Sequence, residues 1–365
     1  MQLDFFPSRT LTFYLARVFI VRIVAMLLVF VLVLQMLDLL GNTGKILAYP
    51  GNGEAQLWTY VLLHAPQYCG RFLPYSVLLA SIITLATLNQ NSEVIAMKGA
   101  GMSAHQVLAP LLLTALAVSV VSFAFNELVI TSTNARLHAW READYGPIPT
   151  GAHVRKNVYL ADGPNILAAA TATGSGKGIV LDDVTFYRRD PRGMIDAQIR
   201  SPRATYANPG WRLESPTRFN VELAKSDKIA PLVVAPGVTP DKVSISSVDP
   251  EAQNVFELRH SINLLASLGR GTAELRGMWW HKFSGPLSAV LMPLLGAVAA
   301  FGLARSGHLF IRAIIGMGLG FAYFVVDNAA LAMGNFGGYP PILAAWAPFF
   351  LFFLVGEMVL VRTEE

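Results

Sequence analysis

The sequence predicts an α-helical membrane protein with six transmembrane helices and an all-β, jellyroll-like domain inserted between helices 3 and 4. Three observations carry this. Of the 365 residues 53% are hydrophobic and only 14% charged, against about 25% charged in an ordinary soluble domain, and lipid is the solvent that fits such a deficit. About 31 of the 52 charged residues fall between Trp140 and Leu275, in nearly equal numbers of each sign. Apolar runs of bilayer length stand on both sides of that charged block. The chain therefore reads as a membrane block over 1–139, a soluble block over 140–275 and a second membrane block over 276–365.

A membrane helix needs about 20 mostly apolar residues. Six stretches qualify: Arg17–Leu40, Leu57–Leu88, Val107–Ile130, Met278–Leu303, Leu309–Leu331 and Ile342–Val361. The first is longer than the apolar run of about 7–15 residues in a cleavable leader, and no small-residue cleavage site follows it. Orientation follows from Lys and Arg in short connections. Arg9, Arg17 and Arg22 open the first span, and Lys98 sits between the second and third. Arg305 and Arg312 flank the fourth-to-fifth connection, and Arg362 closes the sequence. The opposite connections hold Lys45 alone, in Gly41–Gln56, and no charge in Gly334–Pro341. Both termini are thus expected in the cytoplasm and the soluble block outside.

The soluble block reads as β. "GIVLDDVTFYRRD" and "RFNVELA" alternate apolar and polar residues, and "RATYANPGWRLESPTRF" reads as two strands around an Asn208-Pro209-Gly210 turn. Short strands follow one another with no helical run expected between them, the pattern of a sandwich, jellyroll or barrel-like sheet. No internal period is visible, and the two three-span halves are not alike.

Several function classes lack their signatures. The formal net charge is +4 and the pI near 9.2, yet no basic run or aromatic-basic interleaving proposes nucleic acid. The lone Cys69 excludes a disulfide within the chain. The soluble block has no cysteine, which suits an oxidising compartment. "ATATGSGKGIV" imitates a phosphate loop but puts Thr171 at the first Gly position and Gly178 at the hydroxyl position. The seven His show no H-x-x-x-H pair, and no G-x-S-x-G turn occurs. No catalytic residue, metal site or bound cofactor is expected.

The connection "NSEVIAMKGAGMS", Asn91–Ser103, spaces its apolar residues as a helix does. Val94, Met97 and Gly101 fall near one face. Glu93 sits in the first turn, where the helix dipole favours an anion, and Ser92 or Asn91 is placed to cap. Either this is a loop helix lying on the surface, or it docks into a groove on a cytoplasmic partner. Charged and polar groups inside spans are costly. Asp327 lies about 21 Å beyond Arg312 at about 1.5 Å per residue, Arg71 in the outer half of the second span, and Gln35 and Asp38 near the outer end of the first. They either pair helices or line a cavity for cargo with an anionic head. Arg136, His138 and Arg141, past the third span, join Lys45 as either a solvated span end or a basic rim suited to phosphate. Gly316, Gly318 and Gly320 permit close helix packing.

With these stretches on the page, the chain resembles the LptF/LptG family of lipopolysaccharide export permeases, on its LptG side, over essentially the whole length. The resemblance rests on "NSEVIAMKGAGMS", "NVYLADGPNIL", "WHKFSGPLSAVLMPLLGAVAAFGLARSGHLFIRAIIGMGLGFAYFVVDN" and "GYPPILAAWAP". It implies an inner-membrane subunit that pairs with an LptF-like permease above an LptB-like ATPase dimer. ATP and Mg would sit on that ATPase. An LptC-like single-span protein and an LptA-like periplasmic bridge would complete the path for lipopolysaccharide. The family's coupling helix falls on Ser92–Ser103, so Ser92, Glu93, Met97 and Gly101 are expected to serve coupling to the ATPase. Lys45, Arg136, His138 and Arg141 are expected at the lipid's phosphates. LptG-like proteins can carry a lysine where this chain has Gln35, which shifts that role to the neighbouring cations. The alternative is a proton- or ion-coupled secondary transporter using Asp327; it would need broken midplane helices and repeat symmetry, and neither is evident.

Overall fold

Two long helices open the chain in the computed structural model. The described residues are 7–147, 154–174, 176–190, 193–220, 225–244, 249–267, 270–301 and 309–364. Arg305, used above for orientation, and residues 221–224 of the expected strand "RFNVELA" fall outside them. Helix α1 runs Arg9–Leu47 and α2 runs Glu54–Gln90. At about 1.5 Å per residue their 39 and 37 residues exceed a hydrocarbon core of about 30 Å. Helix α3, Glu93–Gly99, fills the connection to α4, Ala104–Phe125. A π-helical turn, Asn126–Ile130, passes into α5, Thr131–Glu142. The expected third span is therefore extended by this continuous helical run beyond Ile130.

After the β domain come α6, Pro240–Ser244, and α7, Val255–Ser267. Then follow α8, Ala273–Phe301, α9, Leu309–Asn335, and α10, Pro341–Glu364. Among the described residues five stretches combine the length and apolarity needed to cross a bilayer: Arg9–Leu47, Glu54–Gln90, Ala104–Glu142, Ile314–Asn335 and Pro341–Arg362. The expected fourth span corresponds to α8. Its 29 residues cover about 44 Å, and it runs into residues 302–308, which are not described.

The chain divides into two compact units. One comprises residues 1–42, 58–134 and 250–365, and the other residues 43–57 and 135–249. In the first, Leu15, Phe19, Val77, Leu85, Leu108, Leu111, Met292, Leu295 and Tyr323 form one buried cluster. Small residues let these helices close up. A Cβ on Gly356 of α10 would stand 2.7 Å from Cγ and Cδ2 of Leu294 on α8, and Leu294 is 1% exposed. The outer face of α1 remains apolar and exposed at Leu28, Leu32, Met36 and Leu40. Their four-residue spacing keeps them on one stripe, as expected of a surface covered by lipid or by another membrane helix.

The second unit holds one antiparallel sheet of eight strands. These are β1 Val154–Asp162, β2 Asn165–Thr173, β3 Val180–Arg189, β4 Ile195–Ala207, β5 Gly210–Glu214, β6 Thr217–Asn220, β7 Lys225–Lys228 and β8 Leu232–Val234. The order is β1-β2-β3-β4-β5-β8, with β6 paired to β4 and β7 to β6. One edge of the long β4 thus serves two strands, pairing β6 over 197–200 and β5 over 203–207. Ser201 marks the change of partner, and its hydroxyl donates to the Glu214 and Arg203 carbonyls. The expected Asn208-Pro209 reversal joins β4 to β5, with Ala207 opposite Gly210. Alternation buries Leu167, Leu181, Val184, Ile199 and Leu213 around the fully buried Trp211. The indole of Trp211 donates to Val238 O at 2.8 Å.

Helix α7 stands inside the 140–275 block, after the last strand, where the sequence reading named no element. Its buried Leu258, Ser261, Ile262 and Leu265 recur at helical spacing. The high charge of the block concealed that period.

Candidate functional site

Helix α3 is short, so packing rather than propensity holds it. Val94 and Met97 are buried in the helical core, while Ile95 is 65% exposed. Met97 thus anchors the segment, and the outward face carries Ile95, Ala96, Lys98 and the following glycines. Ser92 occupies the N-cap position with a left-handed backbone, φ 60°, and its hydroxyl makes no capping bond. That departs from the expected cap, because an N-cap side chain reaches the N2 or N3 amide from an extended backbone. Glu93 is tied elsewhere: its carboxylate accepts from Tyr14 Oη of α1 at 3.3 Å and from Asn91 Nδ2 at 3.4 Å. Gly101 ends the segment at φ +87° with open space around its Cα, a backbone that favours glycine. Ser103 then opens α4 with a full capping box to Gln106. The turn from α3 into α4 is thereby fixed at both ends.

A second polar group joins α1 to α2. Asp38 Oδ2 accepts from Tyr60 Oη at 2.6 Å and lies 3.0 Å from His64 Nδ1, and its Oδ1 accepts from Asn42 Nδ2 at 3.1 Å. One turn earlier, Gln35 is 7% exposed and neither end of its amide has a partner among the described residues.

Arg71 and Asp327 meet in a cavity of about 600 Å³ between α2, the π-helical turn, α8 and α9. Asp327 is 6% exposed. Its Oδ2 is 3.0 Å from His281 Nε2, and its Oδ1 has no partner among the described residues. At the mouth Arg71 lies 3.6 Å from Glu251. Pro74 and Pro286 line the walls, and each removes an amide from its helix ladder.

Lys282 and Glu127, a far less exposed pair than Arg71–Glu251, Arg188–Asp196 or Arg203–Asp182, were not singled out from the sequence. Lys282 Nζ of α8 donates to Glu127 Oε1 of the π-helical turn at 3.0 Å, with side chains only 10% and 15% exposed. Glu127 Oε2 also accepts the amide of Val255, the first residue of α7, at 2.6 Å. A π-helical turn often marks a functional position, and here it turns one carboxylate toward two other helices. The rule that singled out Asp327, a charge inside an apolar run, applies equally to Glu127, His281 and Lys282.

The expected basic rim falls in the second unit. Lys45 is in the last turn of α1, and Arg136, His138 and Arg141 are on α5. Asn52 Nδ2 donates to Ile46 O at 2.7 Å and to Tyr145 O at 2.9 Å, which ties the end of α1 to the end of α5. Lys45 and Arg136 are exposed. His138 faces Asp249 at 3.0 Å, so a carboxylate already shares that position.

A helical membrane unit interrupted by an antiparallel β unit, with a short helix between its second and third spans, has a counterpart among known families. The model of the lipopolysaccharide export system permease LptF/LptG matches residues 13–362. The chain belongs to the LptF/LptG family. LptG of Escherichia coli K12, a lipopolysaccharide export system permease protein, is 25% identical over 309 residues, covering 83% of this chain and 84% of its own length. LptG of Haemophilus influenzae is 25% identical over 325 residues, covering 86% and 89%. The match runs through both membrane blocks and the β domain.

Proposed function

We infer that the chain is the LptG-like half of an ATP-driven extractor of lipopolysaccharide in the bacterial inner membrane. Both termini are cytoplasmic, and the β domain is in the periplasm. The observation that supports this best is α3: a short helix held to the bundle by Val94 and Met97, with Glu93 in its first turn and an outward face exposed at Ile95. Such a segment suits receipt of force from a separate protein. An LptB-like ATPase dimer supplies ATP and Mg chemistry; this chain contributes no catalytic group. Glu93 reaches Tyr14 at 3.3 Å, so movement of α3 passes to α1 as well as to α4.

An LptF-like permease would complete the cargo cavity, and an LptC-like span would flank it. Lys45, Arg136 and Arg141 would face the phosphates of lipopolysaccharide. The jellyroll-like β domain would shield the acyl chains from water and pass the lipid to an LptA-like bridge. Glu93→Gln keeps the hydrogen bond to Tyr14 and removes the charge. Export in cells carrying this variant is expected to fail while the protein still inserts and co-purifies with its permease partner. Wild-type export would overturn the coupling role.

One observation favours a second reading, a proton- or ion-coupled transporter: the unpartnered Oδ1 of the buried Asp327. Export by the purified chain in vesicles with a proton gradient and no ATPase would decide for it.

A further inference from the structure

A second cavity, of about 320 Å³, lies where α7, the start of α8 and the start of α10 converge. Arg259, Arg276, Trp279, Trp280 and Ile342 line it, and no Asp or Glu does among the described residues. The site is built rather than incidental. Trp279 Nε1 donates to Val255 O at 3.1 Å, which fixes the indole. The guanidinium of Arg259 then lies over that indole, 5.1 Å from its centre, a cation–π contact that orients it. Trp280 meets Trp279 edge-on at 4.9 Å and forms the adjoining wall. Arg276, three residues before Trp279 on α8, lies on the same face of that helix.

The position narrows the ligand. Helix α8 passes here from Glu274 and Arg276 into an apolar run, and α10 begins here, apolar from Pro341 onward, directly after the Gly337-Gly338 turn, so the cavity lies where two spans start, at one surface of the bilayer. Paired tryptophans are typical of that level. Two arginines without a lining carboxylate call for an anion. Guanidinium groups match phosphate oxygens in bidentate fashion. The remaining wall, from Ile262, Pro341 and Ile342, is apolar and suits the glycerol and first methylenes of a lipid.

We propose that the Arg259–Arg276 cavity binds the phosphate of an anionic glycerophospholipid, resident at the α7–α8–α10 corner. It shares no residue with the expected cargo rim and does not depend on the coupling reading. A bound headgroup would bridge three helices, of which α7 and α8 already meet through Trp279, Val255 and Arg259.

The full chain, co-purified with its partner subunits in mild detergent, is analysed by native mass spectrometry with added phosphatidylglycerol. The wild type is expected to retain one phosphatidylglycerol per copy of this chain. Arg259→Gln with Arg276→Gln is expected to weaken that retention about 10- to 100-fold. Arg259→Lys with Arg276→Lys keeps the charge but loses the bidentate fork, so it is expected to retain the lipid better than the Gln variant and less well than the wild type, and it also controls for misfolding. Three results overturn the proposal. One is equal retention by the wild type and the Gln variant. Another is displacement of the lipid by millimolar inorganic phosphate, which marks a free-anion site. The third is occupancy by lipopolysaccharide in preference to phosphatidylglycerol.

Discussion

The Lys282–Glu127 pair offers a quantitative test of how α4, α7 and α8 are held together. At 3.0 Å the gross Coulomb attraction is about 5 kcal/mol with an effective dielectric of about 20. Desolvation of two ions offsets most of it, at several kcal/mol each, so the intact pair is nearly neutral against an apolar replacement. Breaking it from one side is different. Lys282→Met leaves Glu127 charged, 15% exposed and bonded only to the Val255 amide, at an expected cost of about 3–5 kcal/mol. Glu127→Gln leaves the Lys282 ammonium buried and is expected to cost a similar amount. The double variant removes both charges, keeps an acceptor for Val255, and is expected within about 1 kcal/mol of the wild type. Reversible unfolding in mixed micelles, followed for all four proteins as a double-mutant cycle, measures the coupling. Additive single costs, with a coupling near zero, would refute the claim that the charges stabilise one another.

Three further tests address other parts of the chain. Gly356→Ala places a methyl 2.7 Å from two atoms of the buried Leu294 and is expected to destabilise the α8–α10 contact by about 1–3 kcal/mol, read in the same micelle assay. In the β domain, Arg188 bonds Asp196 at 2.7 Å, and that bond holds the Asp196 carboxyl below its ordinary range. A lowered folded value adds stability above the unfolded value of about 3.9, lost as pH falls through the folded value. Acid unfolding followed by a fluorinated Trp211 should therefore flatten below about pH 4 in Arg188→Gln, and an unchanged acid limb would count against the linkage. Replacing Lys45, Arg136 and Arg141 together by Gln should weaken stimulation of the partner ATPase by lipopolysaccharide, and full stimulation would remove these residues from the cargo rim.

The sequence by itself determined the membrane–β–membrane order, the register-setting reversal at Asn208-Pro209 and the helix at 93–99. Each depends on local period or on turn chemistry, which neighbouring residues specify. It also marked Asp327 and Arg71, because a charge in an apolar run is conspicuous without any fold. What those charges touch was decided only in three dimensions. Asp327 meets His281 from 46 positions away, and Lys282 meets Glu127 from 155 away. No spacing rule links residues on separate helices, and in the second pair the whole β domain lies between them. The same holds for Met97, which helical periodicity puts on one face of α3 but which only packing turns inward. The arginine-lined corner of α7, α8 and α10 likewise arises because the tertiary fold brings Arg259, Arg276 and Ile342 to one place. Local forces write the elements into the chain; the desolvation of buried charge, satisfied only by distant partners, decides how they meet.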